Sequence, residues 1–281
     1  MHGLRIGDGV MLAHQRQQKI LDRVLSDGAV TVAALGTALS VSDMTIRRDV
    51  NELVAQGLVE RVHGGITAPS SASAFEPGFP VKSEQSRDAK AAIARAAARL
   101  IRPGTTIGIS GGTTTHALAR ELLRIPDITV VTNSLPVADV LHAGGRADHT
   151  VLLTGGQRTP SYALVGPLAV GALQTLHVDI LFLGTHGVDI DAGLTCPNLL
   201  EAQTNQAFVA SARRVAVLAD HTKWGVRALA TTAALSEVDV IVTDVDVPER
   251  IRDALTDIVD DVVVAAGPAE PRPTTQEASS R

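Results

Sequence analysis

Seven short apolar runs constrain the fold of most of this chain. They are T-I-G-I-S from Thr106, I-T-V-V-T from Ile128, T-V-L-L-T from Thr150, I-L-F-L-G from Ile180, V-A-V-L-A from Val215, V-I-V-T-D from Val240 and V-V-V-A from Val262. Each is short, aliphatic and rich in β-branched residues, which marks strands rather than helices. Their near-continuous hydrophobicity predicts burial on both faces, as in a parallel sheet. Helical segments separate most of them, beginning with an Ala-rich stretch from Ala89 to Leu100 that ends near Pro103-Gly104. The expected fold class is therefore α/β, a mainly parallel sheet covered by helices.

In open α/β sheets, ligands bind at the C-terminal strand ends. The first run leads into Ser110, Gly111, Gly112, Thr113, Thr114 and Thr115. Glycines let the backbone approach an anion, while hydroxyls and helix N-terminal amides donate to it. This loop is a candidate phosphate cradle, although it is neither a Walker loop nor G-x-G-x-x-G. Later strand ends offer Thr132, Asn133 and Ser134, then Gly155 and Gly156, then Asp189, then Asp220 and Lys223. Lys223 is the only lysine after Lys90, so an anionic ligand is the expected partner of this region. His186 and His221 are candidate donors, each more readily explained as a structural histidine. No metal site, cofactor or catalytic set is expected, and Cys196 has no evident activating partner.

Residues 31 to 65 carry a different pattern. Two short helices are expected around a tight turn at Ser40-Val41. The second starts near Asp43 with Ser42 as N-cap. Ile46, Val50, Leu53 and Val54 share one face at helical spacing, with Met44, Arg48 and Asn51 opposite and Thr45 and Arg47 on the flanks. Gly57 is placed to end the helix. Leu58 to Val62 reads as a strand and Gly64-Gly65 as a hairpin turn, which together would form a wing bearing Arg61 and His63. A docked helix with small polar and Arg side chains near its N-terminus fits a DNA major groove. The candidate DNA-contacting residues are Ser42, Met44, Thr45, Arg47, Arg48, Asn51, Arg61 and His63. An earlier helix, His14 to Ser26, would bury Ile20, Leu21, Val24 and Leu25.

Bulk properties bound these readings. The 281 residues are 45% hydrophobic and 20% charged, with net charge −5, so the chain is globular. No apolar run reaches the ~18 residues that span a bilayer. One cysteine excludes an internal disulfide framework. A soluble cytoplasmic protein is expected. Between His14 and Thr67, six basic residues oppose six acidic ones, so DNA binding must depend on charge placement. The aromatic content of 2% disfavours a stacking platform for single strands. Expected boundaries are a DNA-binding domain over 14–67, a Pro/Ser-rich linker over 68–80, an effector domain over 81–266 and a disordered tail over 267–281. Met11 is a candidate native start.

The ordered series R-Q-x-x-I-L from Arg16, V-S-x-x-T-I-R-R-D, E-L-x-x-x-G-x-V-x-R and H-G-G resembles the N-terminal domain of DeoR-type transcriptional repressors. K-x-x-I-A-x-x-A-A from Lys90, S-G-G-T-T-T, V-V-T-N-S-L, L-L-T-G-G, F-L-G-T-H-G-V-D, D-A-G-L-T and L-A-D-H-T-K-W-G resemble the effector domain of that family. The resemblance implies a winged helix-turn-helix followed by an isomerase-like sensor. It further implies double-stranded operator DNA and a phosphorylated sugar effector as partners, with assembly as a homo-oligomer, dimer or tetramer. It predicts repression of a sugar or carbohydrate catabolic operon, relieved by the effector. One departure stands in T-N-Q-A, where Asn205 and Gln206 replace a basic pair common in the family.

The effector domain also resembles ribose-5-phosphate isomerases, which keeps open an isomerase-like enzyme fused to a DNA-binding head. Isomerisation needs a carboxylate base. The D-G-A-D-E loop of those enzymes reads His186-Gly187-Val188-Asp189-Ile190 here, without the first Asp and the Glu. A sensor rather than an enzyme is expected.

Overall fold

The computed structural model describes residues 13–27, 29–55, 58–62, 64–67 and 78–267. The chain divides into two compact units, Met1–Pro77 and Gly78–Arg281. Met11, Gly57, His63 and the tail from residue 268 lie outside the described residues, as does the side chain of Leu25.

The first unit runs α1 (Ala13–Asp27), β1 (Ala29–Thr31), α2 (Val32–Leu39), α3 (Asp43–Ala55), β2 (Glu60–Val62) and β3 (Gly65–Thr67). Ile20, Leu21, Val24, Leu35, Ile46, Val50, Leu53 and Ile66 are buried together as its core set. Thr31 caps α2 by accepting from the Ala34 amide at 3.2 Å. Ser40 ends that helix in the left-handed region, φ 55°, and Val41 N donates back to Gly36 O at 3.1 Å. That turn sets the second helix of the pair. Asp49 is buried on α3 and accepts from Arg16 of α1, Nη2 to Oδ1 at 3.0 Å. Two charged letters of the motif thus tie helices together. The antiparallel order is β1-β3-β2. Gly65 differs from its expected place in the turn: it is a strand residue, and a Cβ there would lie 2.3 Å from Val30 O on β1. Gly64, at φ 83°, makes the turn.

The second unit runs α4 (Phe79–Glu84), α5 (Arg87–Ala98), β4 (Thr106–Ile109), α6 (Thr113–Leu122), β5 (Ile128–Thr132), α7 (Leu135–Gly144), β6 (His149–Leu153), β7 (Gln157–Arg158), β8 (Leu164–Val165), α8 (Pro167–Leu173) and β9 (Ile180–Gly184). It continues with β10 (Gly187–Asp189), β11 (Gly193–Cys196), α9 (Leu199–Ser211), β12 (Val215–Leu218), β13 (Ala230–Ala233), β14 (Val240–Asp244), α10 (Glu249–Thr256) and β15 (Asp261–Ala265). All seven apolar runs join one parallel sheet, in the order β15-β14-β12-β9-β4-β5-β6. The chain fills one side from β4 outward, then returns to β9 and fills the other. The order therefore reverses between β4 and β9, where ligand crevices form.

Each face of the sheet has its own core. Ile93, Ile107, Ile109, Leu118 and Phe182 pack on one face, and Leu181, Leu183, Phe208, Val217 and Ile241 on the other. Burying each such side chain contributes about 1.5–3 kcal/mol. Gly108 makes room for this packing, since a Cβ there would come within 3.2 Å of Phe208 and Val178. A three-stranded antiparallel sheet, β10-β11-β13, and the β7–β8 hairpin are additions without apolar runs in the sequence. The expected linker is cut short at its C-terminal end, because Phe79-Pro80 begins α4. Proline suits a first helical turn, where its missing amide is not needed.

Candidate functional site

The C-terminal ends of β4, β9 and β12 are adjacent, so the loops beginning at Ser110, Gly184 and Ala219 converge. A Cβ on Gly184 would lie 3.2 Å from Gly111 O and 3.5 Å from Thr115 Cγ2. Several polar residues expected to meet ligand instead build this crevice. Gly184 N donates to the buried Ser110 hydroxyl at 2.9 Å. Gly111 N donates to Asn133 Oδ1 at 2.9 Å, and Asn133 Nδ2 donates to Leu164 O at 3.0 Å. The Thr132 hydroxyl donates to Ile109 O at 2.7 Å, while Ser134 caps α7 through the Val137 amide. A Cβ on Gly111 would come within 2.7 Å of Ala163 Cβ, and one on Gly156 within 2.5 Å of Val165 O. Gly155 holds φ 75° in the same turn. Residues 132–134 and 155–156 therefore shape the loop that carries the candidate donors.

Those donors begin at α6. Gly112 precedes the helix at φ 154°, and no side chain caps it. The amides of the first turn, from Thr113 to Thr115, face outward from the positive end of the helix dipole. The Thr115 hydroxyl donates to Gly112 O at 3.0 Å, and Thr114 is buried beside it.

Lys90 on α5 was not among the residues expected from strand ends. It is 4% exposed, and its Nζ donates to Lys82 O at 2.5 Å and Gln85 O at 2.6 Å. Burial lowers its pKa to about 8, Asp220 opposes the shift, and Lys223 and Lys82 add to it. The same cations act on His186, whose pKa falls to about 3, mostly from burial. His186 is therefore neutral near pH 7. Its Nδ1 is buried without a hydrogen-bond partner among the described residues. Asp220 is 1% exposed. Its Oδ1 accepts from Thr222 N at 3.0 Å and from the Thr222 hydroxyl, and its Oδ2 has no partner among the described residues. The chain's four lysines are Lys19, Lys82, Lys90 and Lys223, and the last three gather here. That scarcity was the sequence signal for Lys82 and Lys90. A groove of about 450 Å³ opens beside Lys90, lined by Phe79, Arg87, Thr113, His116 and Arg120 and by the carboxylates Glu84 and Glu121 among others.

Asp189 belongs elsewhere. It accepts from Arg227 Nη2 at 2.6 Å and from the Ala192 amide at 2.8 Å, closing the β10–β11 turn. Arg227 and those amides hold its pKa down to about 2. Sequence offset had placed it at a strand end, but β10 carries it into the antiparallel sheet. His221 Nδ1 lies 2.6 Å from Asp244 Oδ2, and His221 N donates to Asp244 Oδ1 at 2.7 Å. The exposed Asp246 completes a group whose ligand atoms lie within 4.8 Å of one another. Asp244 already engages His221 through both oxygens, which ties the ends of β12 and β14. The departure at Asn205-Gln206 falls on α9, where Gln206 Nε2 donates to Thr231 O at 2.9 Å.

In the first unit, Ser42 caps α3, accepting from Thr45 N at 3.3 Å and meeting the Thr45 hydroxyl at 2.9 Å. Met44 is 80% exposed, and Arg47, Arg48 and Asn51 are exposed beside it. Arg48 lies 3.6 Å from Glu52, a solvent-exposed pair that constrains it little. Arg61 donates to Asn51, which draws the hairpin arginine onto the exposed side of α3. Arg47 and Arg61 both line a cleft of about 140 Å³ between α3 and the hairpin. Met44, Arg47, Arg48 and Asn51 of α3 and Arg61 of the hairpin are thus exposed together, and they include three of the six basic residues between His14 and Thr67.

Residues 16–72 match the DeoR-like helix-turn-helix domain, and residues 85–245 match the DeoR C-terminal sensor domain. The chain is 37% identical over 257 residues to the HTH-type transcriptional regulator GlpR of Haloferax volcanii, spanning 90% of this chain and 99% of that protein. It is 35% identical over 244 residues to the glycerol-3-phosphate regulon repressor of Escherichia coli, spanning 86% and 95%. Among solved structures, a D-ribose-5-phosphate isomerase in complex with phospho-erythronic acid aligns at TM-score 0.36 and 18% identity, over 48% of this chain and 52% of that one.

Proposed function

Since the chain belongs to the DeoR family of transcriptional regulators, we propose that it is a DNA-binding repressor of a sugar or carbohydrate catabolic operon, released from its operator by a phosphorylated sugar intermediate. The observation that carries the effector half is that Lys82 and Lys223 lie near enough to act on Lys90 and His186, while Lys90 shares a groove with Thr113 at the uncapped start of α6. One buried lysine, two partly exposed ones and the amides that open a helix together suit a phosphate. Thr113, Thr114 and Thr115 receive the phosphate and Lys223 adds a point charge. Asp220 Oδ2 and neutral His186 address hydroxyls, because a carboxylate set directly against phosphate would repel it. Ser110, Gly111, Gly112, Thr132, Asn133, Ser134, Gly155 and Gly156 hold the loop in shape. The Escherichia coli relative is named for the glycerol-3-phosphate regulon, which makes glycerol 3-phosphate the first probe.

On the DNA side, Met44, Thr45, Arg47, Arg48 and Asn51 read the major groove from α3, while Arg61 meets the backbone. Two such heads in a homo-oligomer engage paired half-sites. Effector binding disfavours the DNA-competent arrangement through roughly 1–3 kcal/mol of coupling. The protein acts as a sensor in the cytoplasm, where operator DNA lies. No helix among the described residues is long and apolar enough to cross a membrane. Catalysis is not part of the reading, because the relatives are transcriptional regulators and Asp189, the carboxylate retained from the isomerase loop, is engaged with Arg227.

Thermal shift tests the site. Glycerol 3-phosphate or another phosphorylated sugar should raise Tm in proportion to ligand excess, and its unphosphorylated parent should do much less. Lys223→Ala and Thr114→Val should lose the shift yet still bind operator. Wild-type affinity in both variants would remove this crevice as the effector site.

A further inference from the structure

We propose that α4 responds to occupancy of the anion site, with Phe79 and Tyr162 as the positioning residues that hold it. The proposal rests on the strand-end reading above. Helix α4 is the first element of the second unit. A helix of six residues is too short to be stable alone, so its contacts decide where it lies.

At its N-terminal end, the Phe79 ring stacks on Tyr162 with centroids 5.5 Å apart and meets His116 edge-on at 5.3 Å. Phe79 N donates to Pro160 O at 3.3 Å, and the Arg158 guanidinium lies 4.1 Å over the Tyr162 ring. Tyr162 holds φ 62°, a left-handed conformation that costs a non-glycine residue about 1–2 kcal/mol. The hairpin tip that imposes it is fixed by the buried carboxylate of Glu201, which accepts from Thr159 at 2.6 Å and Ser161 at 2.5 Å. Phe79 thus rests on a rigid platform.

At its C-terminal end, α4 is fastened by Lys90, whose ammonium serves Lys82 O and Gln85 O. Both acceptors are neutral carbonyls. Those bonds are charge-assisted on the donor side only, and an ionised acceptor adds the attraction of a full opposite charge. Lys90 lines a groove with Thr113, the first residue of α6, where Arg87 and Arg120 stand with the carboxylates Glu84 and Glu121; an anion drawn to that end of α6 would compete with α4 for the ammonium. When the anion wins, α4 loses its C-terminal fastening, keeps its Phe79 anchor and tilts about it.

Hydrogen exchange on the full chain, titrated with inorganic phosphate, tests this. Peptides spanning 113–115 should slow, while those spanning 79–86 should exchange faster by on the order of tenfold, as loss of one charge-assisted hydrogen bond gives. In Tyr162→Ala, 79–86 should exchange fast without phosphate and gain nothing from it, while protection of 113–115 persists. Tyr162→Phe, which keeps the ring, should behave as wild type. Protection at 113–115 with no change at 79–86 would overturn the proposal, as would wild-type behaviour of Tyr162→Ala. If phosphate protects neither segment, the anion site itself is refuted and the proposal falls with it.

Discussion

Replacing Lys90 by Met should separate stability from ligand response, and the pH dependence gives the magnitude. Lys90 is almost fully buried and its pKa falls from the ordinary 10.5 to about 8, chiefly through burial. The folded state therefore binds this proton less tightly than the unfolded state. Below about pH 8 both states carry it, and the folded protein bears the whole penalty. At 1.36 kcal/mol per pH unit the penalty is about 3 kcal/mol. As pH rises from about 8 towards 10.5 the folded state loses the proton first, the penalty is relieved and stability rises. Wild type should gain about 2–3 kcal/mol relative to Lys90→Met between about pH 7 and pH 10. Near pH 7 the difference between the two proteins should be small. The variant escapes the burial penalty but strips Lys82 O and Gln85 O of their donor, worth about 1–3 kcal/mol. Urea unfolding of both proteins across that range measures the difference, with other titrations cancelling. A pH-independent difference would refute the claim that a buried, charged Lys90 is kept at a stability cost.

Other perturbations read other parts of the account. Arg48→Ala should weaken operator binding by roughly 1–3 kcal/mol if it makes a bidentate base contact, without moving Tm; unchanged affinity in a binding titration would remove α3 from the reading role. Arg61→Ala should weaken specific and non-specific DNA about equally and reduce the salt slope by about one unit; a loss confined to one base position would make it a base reader. Arg16→Ala strands the buried Asp49 carboxylate and should destabilise the first unit by about 3–5 kcal/mol, measurable by denaturant unfolding. Gly111→Ala would set its Cβ 2.7 Å from Ala163 Cβ; it should cost about 1–3 kcal/mol and weaken phosphate binding by calorimetry, and neutral behaviour in both would show that the loop tolerates the shift.

The parallel sheet was legible because a strand buried on both faces must be apolar at nearly every position. The strands that escaped, β1, β7, β8, β10, β11 and β13, are two to four residues long and carry no such run. The motif over 31–65 located α2 and α3, but residue types could not tell a DNA-facing charge from an internal one. Asp49 proved to be a buried tie to Arg16, whereas Arg48 is exposed. The same limit applied at the strand ends. Thr132, Asn133 and Ser134 are polar, yet their hydrogen bonds are spent on Ile109, Gly111, Leu164 and Val137. Lys82 and Lys90 were hidden for the opposite reason. They precede the first strand of the sheet by many residues, and only the packing of α4 on α6 and of α5 on α6 and the sheet brings them near Lys223.

Operator binding and its release by a phosphorylated sugar in the crevice can be read in one titration. Fluorescence anisotropy on the promoter upstream of its own gene measures both at once. High-affinity binding should fall by about 5- to 150-fold with the active member of a phosphorylated-sugar panel led by glycerol 3-phosphate. Its unphosphorylated parent should leave binding unchanged, and Lys223→Ala should stay bound under the same ligand. Operator binding that is insensitive to every phosphorylated sugar, or equally sensitive in Lys223→Ala, would contradict it.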